Sequence, residues 1–173
     1  MDRLDRLLKD ELYRGYLDKN IAAEMDRKFC RHTFQHMVDV ARIAYILLLE
    51  TGDIRRFMEE NDFNLRLARE VIYTAALLHD IGRWKEYAAG EDHAKAGAVL
   101  AEELLLKTGF NETETEIITR GIREHRRLPE QNSLLGRYLH KADRLSRQCT
   151  RCEAAGECYK ITQMETGRIE LVY

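Results

Sequence analysis

Along most of this chain apolar residues recur at steps of three and four, the period of amphipathic helices rather than of strands, and the single proline, Pro129, leaves long stretches free to be helical. The pattern predicts an all-α protein without internal repeats. Leu4 to Phe29 is amphipathic and charged; it predicts one or two helices laid across the body, and carries no assigned chemistry. Cys30 to Leu47 predicts a helix ending near Gly52, with His36, Val40, Ile43, Ala44 and Leu47 on one face and His32 one turn earlier on the same side. Asn64 to Asp80 follows, its stripe formed by Ile72, Ala75, Ala76 and His79, with Gly82 supplying a left-handed stop. After a short polar link, Asp92 caps a helix whose core side is Ala94, Ala98, Ala101 and Leu105, ending at Gly109, with His93 at its start. Asn111 and Glu114 form a capping box for a helix that turns Ile117, Ile118, Gly121, Ile122 and His125 to one side. Beyond a turn at Pro129 to Ser133, Leu135, Leu139, Ala142 and Asp143 face inward from the next helix. At the end of the chain, Tyr159 to Thr162 and Arg168 to Tyr173 alternate apolar and polar about Thr166-Gly167, which predicts a small β-hairpin covering the helical body.

A chain of 173 residues has the size of one domain with a real core. The reading is a helical body over residues 1–147, including an N-terminal helical segment 1–29, and a cysteine-containing appendage over residues 148–173 packed on it. With 45% apolar and 34% charged residues, the composition excludes a disordered or membrane-embedded chain. The formal charge of −2 offers no general attraction to nucleic acid or anionic lipid, so any phosphate must be recognised by locally placed Arg and Lys, and long nucleic acid and membranes are not expected partners. Met1 to Arg6 alternates charge and lacks an apolar signal core. The expected home is the cytoplasm, where four cysteines serve as thiols or metal ligands rather than disulfides.

The chemistry lies in polar residues that interrupt apolar stripes. His79-Asp80 closes the run Ala75-Ala76-Leu77-Leu78, and a polar pair at the edge of a core costs free energy unless hydrogen-bonded or coordinated to a cation. A single inward histidine more often bonds a carbonyl than a metal. Here His36, His79, Asp80, His125 and Asp143 take inward positions on separate helices and His93 begins another. Convergence on a bundle interior, as in bundle-core metal sites, is the economical explanation.

The order His, His-Asp, His, His, Asp resembles the HD superfamily of metal-dependent phosphohydrolases over roughly Cys30 to Arg147. The segment from His36 to Ala41 resembles that family's first histidine segment, Leu77-Leu78-His79-Asp80-Ile81-Gly82 its signature and Asp143 its final aspartate. The resemblance implies an HD-like helical bundle. It also implies a first divalent ion on His36, His79, Asp80 and Asp143 and a second on His93 and His125, bridged by Asp80; Fe, Mn, Zn, Mg and Ni are all open as the metal. The implied reaction is hydrolysis of a phosphoester, in a nucleotide or another small phosphorylated substrate, by a metal-bridged hydroxide. Arg83 stands where many relatives carry a lysine and would meet a phosphate with bidentate geometry; Lys141 is the other candidate. An HD-type diiron oxygenase and a nucleotide-binding regulator without turnover are the alternatives.

The cysteines form a second pattern. Cys149 and Cys152 have chelating spacing and Cys158 follows closely. Cys30 precedes His36 by the interval that separates Asp143 from Cys149, so antiparallel helices bearing His36 and Asp143 would set Cys30 beside Cys149. This predicts an all-cysteine site of Cys30, Cys149, Cys152 and Cys158, a structural zinc or, as the alternative, an iron–sulfur cluster, that staples the tail to the helix carrying His36.

Overall fold

The structure is a computed structural model that describes residues 1–126, 132–170 and 173. The described elements are α1 (Asp2–Lys9), α2 (Glu11–Ala23), α3 (Phe34–Glu50), α4 (Asp53–Asn61), α5 (Leu65–Leu78), α6 (Arg83–Ala89), α7 (His93–Thr108), α8 (Glu112–Glu124) and α9 (Leu134–Leu145), followed by short 3-10 turns. The helix starts are chemically marked. Side chains of Asp10, Thr33, Asn64, Asp92 and Ser133 accept the first free backbone N–H groups of α2, α3, α5, α7 and α9, and Asn111 with Glu114 closes the capping box of α8. No described helix is long and apolar enough to cross a membrane.

The centre of the bundle is α3, packed between α5 and α9; α8 lies against α7, α9 and α5. Small residues make the close approach possible: Ala41 and Ala44 of α3 and Ala68, Ala75 and Ala76 of α5 are fully buried, interleaved with Met37, Val40, Leu48, Val71 and Ile72. Of the N-terminal pair, α1 packs on α7, and α2 packs on α1 and α6.

Several expectations change here. Residues 30–32 precede α3 as loop, because Thr33 caps the helix instead of lying inside it. Two further helices appear: α6 occupies the stretch read as a short polar link, and α4 a stretch that carried no assignment. Gly82 does not adopt a left-handed conformation; its φ is −90°. Its requirement is space, since a Cβ there would lie 2.6 Å from the Gly97 nitrogen and 2.7 Å from the His93 carbonyl oxygen, so glycine lets the end of the His79-Asp80 segment press on the start of α7.

The C-terminal β-hairpin is not formed among the described residues. Ile161–Gln163 and Glu165–Gly167 are 3-10 turns, closed by Gln163 N–H donating to the Lys160 carbonyl at 2.9 Å and Gly167 N–H to the Met164 carbonyl at 3.0 Å. An isolated two-stranded ribbon is marginal in water, and local i→i+3 bonds satisfy the backbone instead. Residues 171–172 of the expected second strand, and residues 129–131 of the expected turn, lie outside the described residues.

Candidate metal centre

His79 caps the C-terminus of α5, and Asp80 follows it into the tight segment that Gly82 allows; both side chains are fully buried. The Asp80 carboxylate sits between two groups of imidazoles. Its Oδ2 lies 2.9 Å from His79 Nε2 and 3.6 Å from His36 Nε2, and His36 Nε2 is 3.2 Å from Asp143 Oδ1. Its Oδ1 lies 3.3 Å from His93 Nε2 and 3.9 Å from His125 Nε2. Two sets, His36-His79-Asp80-Asp143 and Asp80-His93-His125, each keep their ligand atoms within 4.8 Å of one another. α3, α5, α7, α8 and α9 each deliver a side chain to, or next to, one end of the bundle.

The second nitrogen of each ring explains the aim. His79 Nδ1–H donates to the Ala76 carbonyl and His125 Nδ1–H to the Ile122 carbonyl, both at 2.6 Å. His93 Nδ1 is held by the Glu86 carboxylate, and His36 Nδ1 is 3.1 Å from the Ser146 hydroxyl. With Nδ1 tied outward, Nε2 points into the centre, the arrangement that orients histidine metal ligands. His79 Nε2 and Asp80 Oδ2 are buried without a hydrogen-bond partner although only 2.9 Å apart. Two acceptors facing each other in a dry interior call for a cation between them.

The electrostatics agree. Burial alone would raise the Asp80 carboxyl and lower the His79 imidazole; the mutual attraction of the pair, helped by Arg83 and His32, overcomes both, holding Asp80 well below the usual carboxylate range and raising His79. Burial lowers His93, and drives His125 down to about 3, with His79 and His93 nearby adding to the effect. Those rings are neutral at pH 7, the form that ligates metal. Asp143, half-buried, is likewise held well below its ordinary value: burial opposes this, but its bond to His36 and the Arg147 guanidinium prevail. The residues present therefore fit a bound cation, and the buried cluster could hold a metal.

Supporting groups come from parts of the sequence that carried no assignment. Asn20 of α2 is fully buried; its Nδ2 donates to the Asp80 carbonyl and its Oδ1 accepts from Trp84 N–H, both at 2.9 Å. Glu24 binds His32 Nδ1 and accepts from the Tyr87 hydroxyl at 2.7 Å, while His32 Nε2 lies 3.7 Å from Asp80 Oδ2. Burial would raise the Glu24 carboxyl, yet its contacts with His32 bring it down to about 2. His140 Nδ1–H donates to the His125 carbonyl at 2.7 Å. The only signal for these in the sequence was a polar residue on an otherwise inward helical face, as Asn20 is.

A cavity of about 410 Å³ opens over the centre, lined by His32, His93, His125 and Asp143 and by the cations Arg27, Arg83, Arg126, Arg144, Arg147 and Lys160. Arg83 Nε is 3.1 Å from Asp80 Oδ1, and its NH1 is 2.9 Å from Glu86. Lys141 is not there. It is exposed and lines a separate groove of about 470 Å³ with Asp53, Tyr138 and Glu165. It stands two residues from Asp143, about 200° around the helix, so the two cannot share a face. That groove is larger but holds none of the clustered ligands, so chemistry rather than volume selects the 410 Å³ cavity.

The HD domain family matches residues 33–148 of this chain. The chain belongs to the HD-domain family. It is 40% identical over 158 residues to an uncharacterized protein of Clostridium beijerinckii, covering 91% of this chain and 92% of that one. A stretch of 86 residues is also 35% identical to a bifunctional uridylyltransferase/uridylyl-removing enzyme of Bradyrhizobium, which amounts to 48% of this chain but only 9% of that enzyme. Among solved structures, a predicted HD superfamily hydrolase from an uncultured Thermotogales bacterium superposes with a TM-score of 0.50 at 32% identity, covering 76% of this chain and 66% of that one. The HD-domain match and the HD superfamily hydrolase neighbour agree with the all-helical fold and with a buried His/Asp cluster that could hold a metal.

Proposed function

We propose that this HD-domain protein hydrolyses a phosphoester of a nucleotide or small phosphorylated metabolite at a pair of divalent ions. The observation that carries the reading is the position of Asp80: one carboxylate whose two oxygens face two different histidine sets, deep in the bundle. His36, His79, Asp80 and Asp143 would hold one ion, and Asp80, His93 and His125 the other. When bound, such ions supply an activated water and neutralise charge on the phosphoryl oxygens.

The chain's own residues do the rest. Arg83, half-buried and fixed by Asp80 and Glu86, presents a guanidinium at the cavity wall. Arg126 is oriented by Glu86 at 2.9 Å and Asp92 at 3.5 Å. Arg147 reaches from Asp143 toward the Arg31 carbonyl. In a protein of net charge −2, gathering this much positive charge around one cavity is a local arrangement suited to an anionic substrate. The uridylyl-removing function in the name of the Bradyrhizobium relative supports a nucleotidyl ester as one substrate class to test.

The test is a hydrolysis screen across nucleotides, phosphodiesters and phosphomonoesters with protein reconstituted separately with Mn, Fe, Zn, Mg and Ni, beside Asp80→Asn. Turnover that requires metal and disappears in the variant is expected. Fully metal-loaded protein that turns over no phosphoester would overturn the reading.

A further inference from the structure

A second ligand set stands apart from the His/Asp centre. Cys30, in the loop before α3, meets Cys149, Cys152 and Cys158 of the tail around one cavity of about 180 Å³. No disulfide joins them. The packing of α3 on α9 brings the ends of the two helices together, so residues separated by more than a hundred positions share one small void. Its other walls are mainly apolar, Phe29, Ala155 and Ile161, with Arg147 at the side toward His36 and Asp143. Cys149 is buried, and burial first, then the neighbouring thiols Cys30, Cys158 and Cys152, push its thiol up.

The spacing selects the kind of centre. A tetrahedral zinc with Zn–S near 2.3 Å sets its sulfurs about 3.8 Å apart. Among the described residues, only the two His/Asp sets bring three or more ligand atoms within 4.8 Å of one another. No three of the cysteine sulfurs come that close, and the four line one cavity of about 180 Å³. We propose that Cys30, Cys149, Cys152 and Cys158 ligate an iron–sulfur cluster, a group large enough to fill that opening, which pins the tail against α3 and α9. Such a cluster binds through thiolates, releasing the thiol protons, and carries net negative charge. The neighbourhood compensates it: Arg147 lines the void, and Arg27 donates to the Cys30 carbonyl at 2.9 Å. Cys149 and Cys158 also line the 410 Å³ cavity, as do Tyr159, Lys160 and Met164, so the pinned tail forms one wall of the cleft over the His/Asp centre.

The experiment is anaerobic purification of the full chain, followed by visible absorbance and assay of iron and acid-labile sulfide. Inorganic sulfide separates this centre from iron on the histidines, which would bring none. The expected result is a brown protein with iron and sulfide in near-equal amount, about four of each per chain for a cubane. The colour should persist in His79→Ala and vanish in both Cys152→Ser and Cys158→Ala, with helical circular dichroism retained as the check on folding. A colourless protein whose four thiols all react with a thiol reagent in the native state would overturn the site. Zinc held in stoichiometric amount by the same cysteines would overturn the iron–sulfur assignment.

Discussion

The His/Asp centre and the cysteine cavity lie at the same end of the bundle yet are built on opposite principles. At the first, the ligands sit on or next to long helices, and partners such as Ala76, Ile122 and Glu86 fix each ring, so the Nε2 atoms face Asp80. At the second, Cys149 begins a 3-10 turn, Cys152 and Cys158 each follow one, Cys30 lies in a loop, and Cys30 and Cys152 are exposed. A preorganised site keeps its shape when empty; a site on short turns owes its shape to what it binds. Removing metal from the two regions should therefore do different things: loss of chemistry in one, loss of local structure in the other.

The largest effect belongs to Asp80. Asp80→Asn keeps the size and one acceptor but removes the charge that faces both histidine sets. Metal content at the His/Asp centre should collapse, and kcat/KM for a phosphoester substrate should fall by about a thousandfold or more, equivalent to several kcal/mol of transition-state stabilisation. Elemental analysis beside kinetics measures both. If the variant keeps its metals and activity, Asp80 does not bridge the sets, and the contrast drawn above loses its first half.

Next comes acid. In metal-free protein, His125 is lowered to about 3 from an ordinary 6.5, with His93 and His32 also lowered, chiefly by burial. Between those values the unfolded chain binds protons that the folded chain refuses, so stability must fall as pH drops from about 6.5 toward 3, by an order of a few kcal/mol. Glu24, Asp80 and Asp143, held below their ordinary values, add further losses once pH falls below about 4.5, where the unfolded carboxylates begin to bind protons. His79 works in the opposite sense: raised in the fold, its contribution is complete below pH 6.5 and is lost as pH rises through its elevated value. Urea titration of chelated protein at pH 7, 5.5 and 4 measures the slope. A midpoint that does not move would show that these rings are not buried neutral.

Much of the centre was legible because helical periodicity is a strong signal and a polar residue at the end of an apolar stripe is conspicuous. His36, His79, His125 and Asp143 were readable in this way. Glu86, Glu24 and Asn20 were not, since each acts through a tertiary partner from another element and looks locally like ordinary helix polarity. Lys141 failed for a simpler reason: being near Asp143 in sequence says nothing about helical face. The tail misled because period-two alternation over a few residues cannot distinguish a strand from successive 3-10 turns when no partner strand is available.

Glu86 offers a finer probe of preorganisation. Its carboxylate holds His93 Nδ1 and the guanidinium groups of Arg83 and Arg126. Glu86→Gln leaves all the ligands in place but weakens their orientation. Loss of such a partner to a ligating histidine costs about 10- to 100-fold in metal affinity or activity. Competition with a calibrated chelator should show weaker binding of one ion of the pair, the one on the His93 side. Equal weakening of both, or of neither, would mean that the two sets are not supported separately.

The smallest expected effect is at Lys141, and its value lies in being small. The side chain is exposed on the face of α9 turned away from Asp143, in a groove that shares Arg144 and His140 with the cleft but none of the clustered metal ligands. Exposed surface substitutions of this kind usually change stability by no more than about 0.5 kcal/mol. Lys141→Ala should leave metal content unchanged and kcat/KM within about twofold. Arg83→Ala, by contrast, removes a half-buried guanidinium 3.1 Å from Asp80 and should raise KM and lower kcat together. Steady-state kinetics of the two variants on one substrate decides whether phosphate is met from inside the cleft or from the outer face of α9. A strong Lys141 effect would put the substrate across that face.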